Sequence, residues 1–181
     1  MSLPPDYARV LDHLGRAFTA YKAATTSDPV LVGGAATAIG TGGLFMSTDF
    51  DVIAADDQAF ARAMTDAGFV QDGGIGHLAN AYYLADCADY VVEQVSGALF
   101  DGRSDRERLV RLTVKSGGEI VMPSIEDLIA DRLGQHAVAS RSDQSRLLQA
   151  KALFDTSEAI DLSYLIRRIA EEGGDPALLG L

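Results

Sequence analysis

The order of secondary-structure signals predicts an α/β or α+β domain that ends in a helical group. Three observations carry this expectation. Helical and strand-like periodicities alternate over residues 1–70, short β-type runs dominate residues 78–122, and three capped helical patterns follow Pro123. The expected organisation is an α/β core over residues 1–123 with a helical segment over 124–181 packed on it as one compact unit. A chain of 181 residues is long enough for this, since at that size about 70% of the unfolded surface is buried.

Within residues 6–24, Tyr7, Val10, Leu11, Leu14, Phe18 and Tyr21 recur at spacings of three and four, the pattern of an amphipathic helix. Asp6, after Pro4 and Pro5, is its expected N-cap. Val30, Leu31 and Val32 form a short β run, and Gly33-Gly34 reads as a tight turn. Residues 35–39 read as a short helix ended by the following glycines, and residues 50–54 as the next strand. Asp56 can cap a helix carrying Phe60, Ala61, Met64 and Ala67, which Gly68 stops. Residues 69–76 read as turn material. Four β runs follow, at 78–86, 90–97, 108–116 and 119–123, with a loop over 101–107 and a hairpin signal at Gly117-Gly118. Ser124 and Asp127 make an acidic capping box for the next helix. Ser142 or Asp143 begins a second helix and Asp161 a third, which Gly173-Gly174 ends. No internal repeat or low-complexity segment is present.

Hydrophobic residues make up 48% and charged residues 23%, as in an ordinary globular protein. No apolar run approaches the ~18 residues of a membrane span, and residues 1–10 lack the regions of a signal peptide. The lone Cys87 has no partner for an internal disulfide, which fits a reducing, cytoplasmic location. Net charge is −11 with no basic block, so long-range electrostatics disfavour DNA, or any polymeric nucleic acid, as the main substrate. A nucleoside triphosphate is compatible with this balance, because a metal ion reverses the local sign of a pocket.

The run over residues 30–53 carries the chemistry. Asp49 and Asp51, spaced i, i+2 on a strand, leave the same face with Cα atoms roughly 6 to 7 Å apart and can reach one metal cluster. Gly33-Gly34 leaves backbone N–H groups open to an anion. Two-metal phosphoryl or nucleotidyl transfer needs carboxylates that hold the ions about 3.5 to 4 Å apart, usually with a third carboxylate from a neighbouring strand. Asp86, Asp89 and Glu93 are the candidates. Glu93 is favoured, because in the apolar run 91–95 its charge is expensive to bury without a metal or partner. The plainer alternative makes Asp49 and Asp51 the solvent side of an edge strand with Phe50 and Val52 facing the core, and Asp86 and Asp89 solvated strand ends.

Gly33-Gly34 followed by Asp49-Phe50-Asp51 resembles the signature of nucleotidyltransferases of the DNA polymerase beta type. Residues 90–102 resemble the third-carboxylate strand of a branch of small bacterial members, and residues 123–153 the helical segment of the same branch. The likeness extends over roughly residues 30–172. It implies a nucleotidyltransferase-type mixed sheet flanked by helices, with two Mg2+ ions held by Asp49, Asp51 and Glu93, and a triphosphate cradled by Gly33 and Gly34 with hydroxyl donors Ser47 and Thr48. It also implies transfer of a nucleoside monophosphate from NTP to a hydroxyl of a small-molecule, RNA or protein acceptor. The chain departs from the pattern at two places. Met46-Ser47 stands where many relatives place an Arg, and Gln94 replaces an aromatic residue. A compensating cation has to come from elsewhere; Arg132 and Lys151 are the candidates, each weighed against a solvated helix face.

Other chemistries find less support. The segment 32–40 is not a dinucleotide-binding G-x-G-x-x-G, and no P-loop or G-x-S-x-G occurs. His13, His77 and His136 lack metal-ligand spacing and read as surface or capping histidines. Cys87 sits among apolar and acidic residues that raise a thiol pKa. The competing functional class is an inactive nucleotidyltransferase-like binding or regulatory module, of the toxin–antitoxin kind. An open cleft with converging carboxylates favours the enzyme, and a filled or salt-bridged one favours the module.

Overall fold

The computed structural model describes residues 3–72, 80–96 and 98–181. His77 and the glycines of the 69–76 turn reading lie outside them. In chain order the elements are α1 (Pro5–Thr25), β1 (Val30–Val32), α2 (Gly33–Gly40), β2 (Asp49–Ile53), α3 (Asp57–Asp66), β3 (Val70–Gln71), β4 (Ala81–Tyr83), β5 (Val91–Ser96), β6 (Val110–Thr113), β7 (Glu119–Met122), α4 (Ile125–Val138), α5 (Ser145–Thr156) and α6 (Leu162–Glu171). A mixed five-stranded sheet runs β1-β2-β5-β4-β3, and β6-β7 form a separate hairpin. Among the described residues β2 and β5 pair in parallel and the other neighbours are antiparallel. Among the described residues no helix is long and apolar enough to cross a membrane.

The predicted apolar stripe of α1 is buried along its whole length, at Tyr7, Val10, Leu11, Leu14, Phe18 and Tyr21. The helix cap lies two residues earlier than expected, with Pro4 at the N-cap and Pro5 in the first turn, where a missing N–H costs nothing. Asp6 is therefore not the cap but a first-turn acid paired with Arg9 at 2.9 Å. Two buried tyrosines tie α1 to the site-bearing segments. The Tyr7 hydroxyl donates to the Ala35 carbonyl at 3.3 Å, and the Tyr21 hydroxyl accepts from the Asp56 N–H at 3.0 Å.

Three local readings differ from the structure. Gly33-Gly34 opens α2 directly, instead of making a turn ahead of a helix at 35. Residues 70–71 add an edge strand to the sheet, two residues too short for any periodicity to register. Gln144, not Ser142 or Asp143, takes the N-cap position of α5, although the Asp143 carboxylate accepts the Ser145 N–H at 2.9 Å. The caps at Asp56, Ser124 and Asp161 are as read, each accepting a backbone N–H of its helix, but the Asp127 carboxylate of the expected capping box bonds the Ser124 hydroxyl, Ser104, Tyr164 and Arg168 instead of the Ser124 N–H. The hairpin turns at Gly117, whose φ of +86° suits glycine.

Candidate active site on the β2–β5 pair

β2 lies inside the sheet, between β1 and β5, so its alternate residues have opposite fates. Phe50 and Val52 are fully buried on one face, while Asp49 is exposed and Asp51 half-buried on the other. The parallel register sets Asp51 beside Glu93 and Asp49 beside Val91. In-register neighbours stand about 4.8 Å apart, so Asp51 and Glu93 share one face and Asp49 follows two residues along it. The rival carboxylates are elsewhere. Asp86 and Asp89 are exposed in the turns between β4 and β5, and Asp86 is bound to Arg9 at 2.6 Å.

Val32 pairs with Asp51, and the chain then turns into α2 through Gly33 at φ +68°. A Cβ on Gly33 would stand 2.1 Å from Oδ2 of Asp51, and one on Gly34 would stand 2.7 Å from Oγ of Ser47. The glycines thus let the first turn of α2 approach Asp51 and Ser47. No side chain caps this helix start, which leaves its N–H groups to other acceptors. Ser47 spends its hydroxyl on the backbone of Asp49, donating to the carbonyl at 3.1 Å and accepting the N–H at 3.3 Å. The Thr48 hydroxyl stands 3.5 Å from Oδ1 of Asp49.

Burial raises the Asp51 pKa, and the nearby charges of Glu93 and Asp49 raise it further, while Arg132 opposes them. The Asp51 carboxylate accepts no hydrogen bond and makes no ion pair among the described residues. Beside it opens a cleft of about 300 Å³. Val32, Gly33, Asp51 and Val95 form its sheet side; Asp131, Arg132 and Gln135 reach it from α4, Arg146 from α5, and Phe100 from the turn after β5.

Arg132 is not on a solvated helix face. It is only 2% exposed, and its Nε donates to Asp131 at 3.0 Å while Nη2 bonds the same carboxylate. α4 packs against α2, α5 and α6, and Arg132 lines the cleft. Lys151, the other candidate, is exposed and lines no part of it. Arg146 and Phe100 were missed; both lie in the segments 123–153 and 90–102 that carry the resemblance, but nothing in those segments singles them out, and only packing brings them here. Gln94, on the opposite face of β5, donates to the Ala54 carbonyl and to Asp57 and does not line the cleft. His13 caps the end of α3 through the Ala67 carbonyl at 2.7 Å, and Cys87 is buried with its thiol pKa pushed up by burial.

The donor set suits a hard divalent ion, since it consists of carboxylate oxygens with a buried, repelled charge at Asp51. Among the described residues no three His, Cys, Asp or Glu side chains stand already gathered as one ligand group. The three carboxylates share a face, and a shared ion would require rotation about their side-chain bonds to bring them onto it.

No family model matches the chain, and no curated protein matches it. Solved structures do. An antigenic nucleotidyltransferase-like protein from Paracoccidioides brasiliensis is similar with a TM-score of 0.64 at 14% identity, over 99% of each chain. The antibiotic-resistance factor ANT(2'')-Ia, whose solution structure reveals substrate-regulated conformation dynamics, is similar with a TM-score of 0.52 at 13% identity, over 90% of each chain. At these identities the likeness is one of fold: the chain has a nucleotidyltransferase-like fold.

Proposed function

We propose that this chain is a metal-dependent nucleotidyltransferase of the polymerase beta type, which moves a nucleoside monophosphate from an NTP to a hydroxyl of an acceptor and releases pyrophosphate. The observation that carries the reading is the register that puts Asp49, Asp51 and Glu93 on one face of β2 and β5, with the glycine start of α2 against Asp51. The nucleotidyltransferase-like fold supports it. Asp49, Asp51 and Glu93 would hold two magnesium ions, which when bound neutralise phosphate charge and activate the attacking hydroxyl.

The remaining roles belong to the chain itself. Glu93 orients the acceptor hydroxyl or takes its proton. The uncapped N–H groups at Gly33 and Gly34 receive the phosphates, as a helix start does for anions. Ser47 and Thr48 offer hydroxyls beside them. Arg132 and Arg146 place positive charge across the cleft from Asp51, in answer to the Arg that relatives keep ahead of Thr48. The acceptor is a small molecule, RNA or protein, with DNA disfavoured by the net charge of −11. Bacterial origin and a cytoplasmic setting belong to the same reading.

Calorimetric titration with magnesium and each NTP tests it. The parent protein should bind, and Asp51→Asn should weaken binding at least about tenfold, because a charge-assisted ligand is lost. Unchanged affinity in that variant overturns the assignment.

A further inference from the structure

Two non-glycine residues among those described have positive φ, Thr26 at 64° and Phe100 at 44°. Thr26 closes α1 as a left-handed cap, an ordinary use of that conformation. Phe100 has no such excuse. It lies in the 3-10 turn Leu99–Gly102 just after β5, and the left-handed region is uphill for any residue with a Cβ. Such a conformation persists where surroundings over-determine it, and it clusters where function needs it.

The surroundings are visible. The Arg168 guanidinium lies 5.8 Å from the centroid of the Phe100 ring, and Arg168 is itself fully buried. Its three donor nitrogens are held by Asp127 at 2.6 Å, Glu171 at 2.5 Å and Glu172 at 2.6 Å. Arg103, at the end of the same turn, donates to the Glu171 carbonyl at 2.6 Å. The turn is thus clamped to α6, and Phe100 is among the residues that line the cleft with Gly33 and Asp51.

We infer that Phe100 is the platform on which the base of the nucleotide stacks, an inference that rests on the nucleotidyltransferase reading of this cleft. The cleft is otherwise mostly charged or amide-bearing, through Asp51, Asp131, Arg132, Gln135 and Arg146. A planar apolar ring fixed among them matches the flat, weakly hydrated face of a purine or pyrimidine. Every base has a π face, so stacking makes Phe100 a determinant of affinity for nucleotides over bare phosphates, with little choice among the four bases.

Calorimetry on the full chain with magnesium, comparing ATP with inorganic tripolyphosphate, separates the possibilities. Phe100→Leu keeps apolar bulk without a π face, and Phe100→Gly removes the ring while accepting the left-handed backbone. Both should weaken ATP binding about ten- to hundred-fold and leave tripolyphosphate within about twofold, while Phe100→Tyr keeps ATP affinity. ATP affinity unchanged in Phe100→Leu, or equal losses for both ligands, overturns the inference. A parent protein that binds ATP no better than tripolyphosphate also overturns it but leaves the nucleotidyltransferase reading standing. A parent that binds neither overturns both.

Discussion

The Asp51 carboxyl holds its proton more tightly than an isolated aspartate, first because burial disfavours its charge and then because Glu93 and Asp49 repel it. A carboxyl with a raised folded pKa makes the folded state bind protons that the unfolded state has released. Between the ordinary aspartate value and the raised one, stability therefore falls as pH rises, and above both the whole charge penalty is present. Without metal, Asp51→Asn should melt a few degrees higher than the parent near neutral pH. The gap should close as pH falls through that window and shrink when magnesium is added. Thermal melts from acidic to neutral pH, with and without magnesium, check this; a gap that ignores pH removes the repulsion from the account. The pairing of Asp49 and Asp51 was legible at this scale, because strand alternation is local. The burial of Arg132 was not, since a cation on a helix looks the same in sequence whether the face it occupies is wet or covered.

Among elements, the contact of α4 with α6 depends on charges inside the protein. Asp127, only 1% exposed, accepts from Ser104, Ser124, the Tyr164 hydroxyl and Arg168. Burial works against the Arg168 charge, but its hydrogen bonds to Asp127, Glu171 and Glu172 outweigh this, and its pKa is raised. Arg168→Met should lower stability by about 3 to 5 kcal/mol, because Asp127 is left buried without its cation. Urea unfolding measures the loss, and a change below about 1 kcal/mol would place the pair in the range of exposed ion pairs. The Ser124 and Asp127 spacing announced the helix start correctly. It did not announce that the Asp127 carboxylate turns inward to α6, because capping is local and Arg168 arrives from far along the chain.

Over the whole molecule, one apolar core runs from Tyr7 in α1 through Phe50 and Val92 to Leu133, Leu153 and Ile169. A Cβ on Gly40 of α2 would stand 2.9 Å from Leu153 and 3.4 Å from Ile125, so the helical segment after residue 123 sits directly on the site-bearing core. We expect the full chain to unfold in one transition, and a chain ending at residue 123 to lose cooperative folding because that apolar face is exposed. Circular dichroism and calorimetry would show it; two separated transitions in the full chain, or a cooperative melt of the short one, would contradict it. The sequence by itself determined the fold class, the major helices with the caps at Asp56, Ser124 and Asp161, and which carboxylates share a face within β2, since periodicity and capping act over a few neighbouring residues. Only the tertiary structure decided that β2 and β5 lie in parallel register with Asp51 beside Glu93, and that Arg132, Arg146 and Phe100 line the same cleft. Strand partners and buried charges are chosen by packing between segments distant in the chain, and no local spacing encodes that choice.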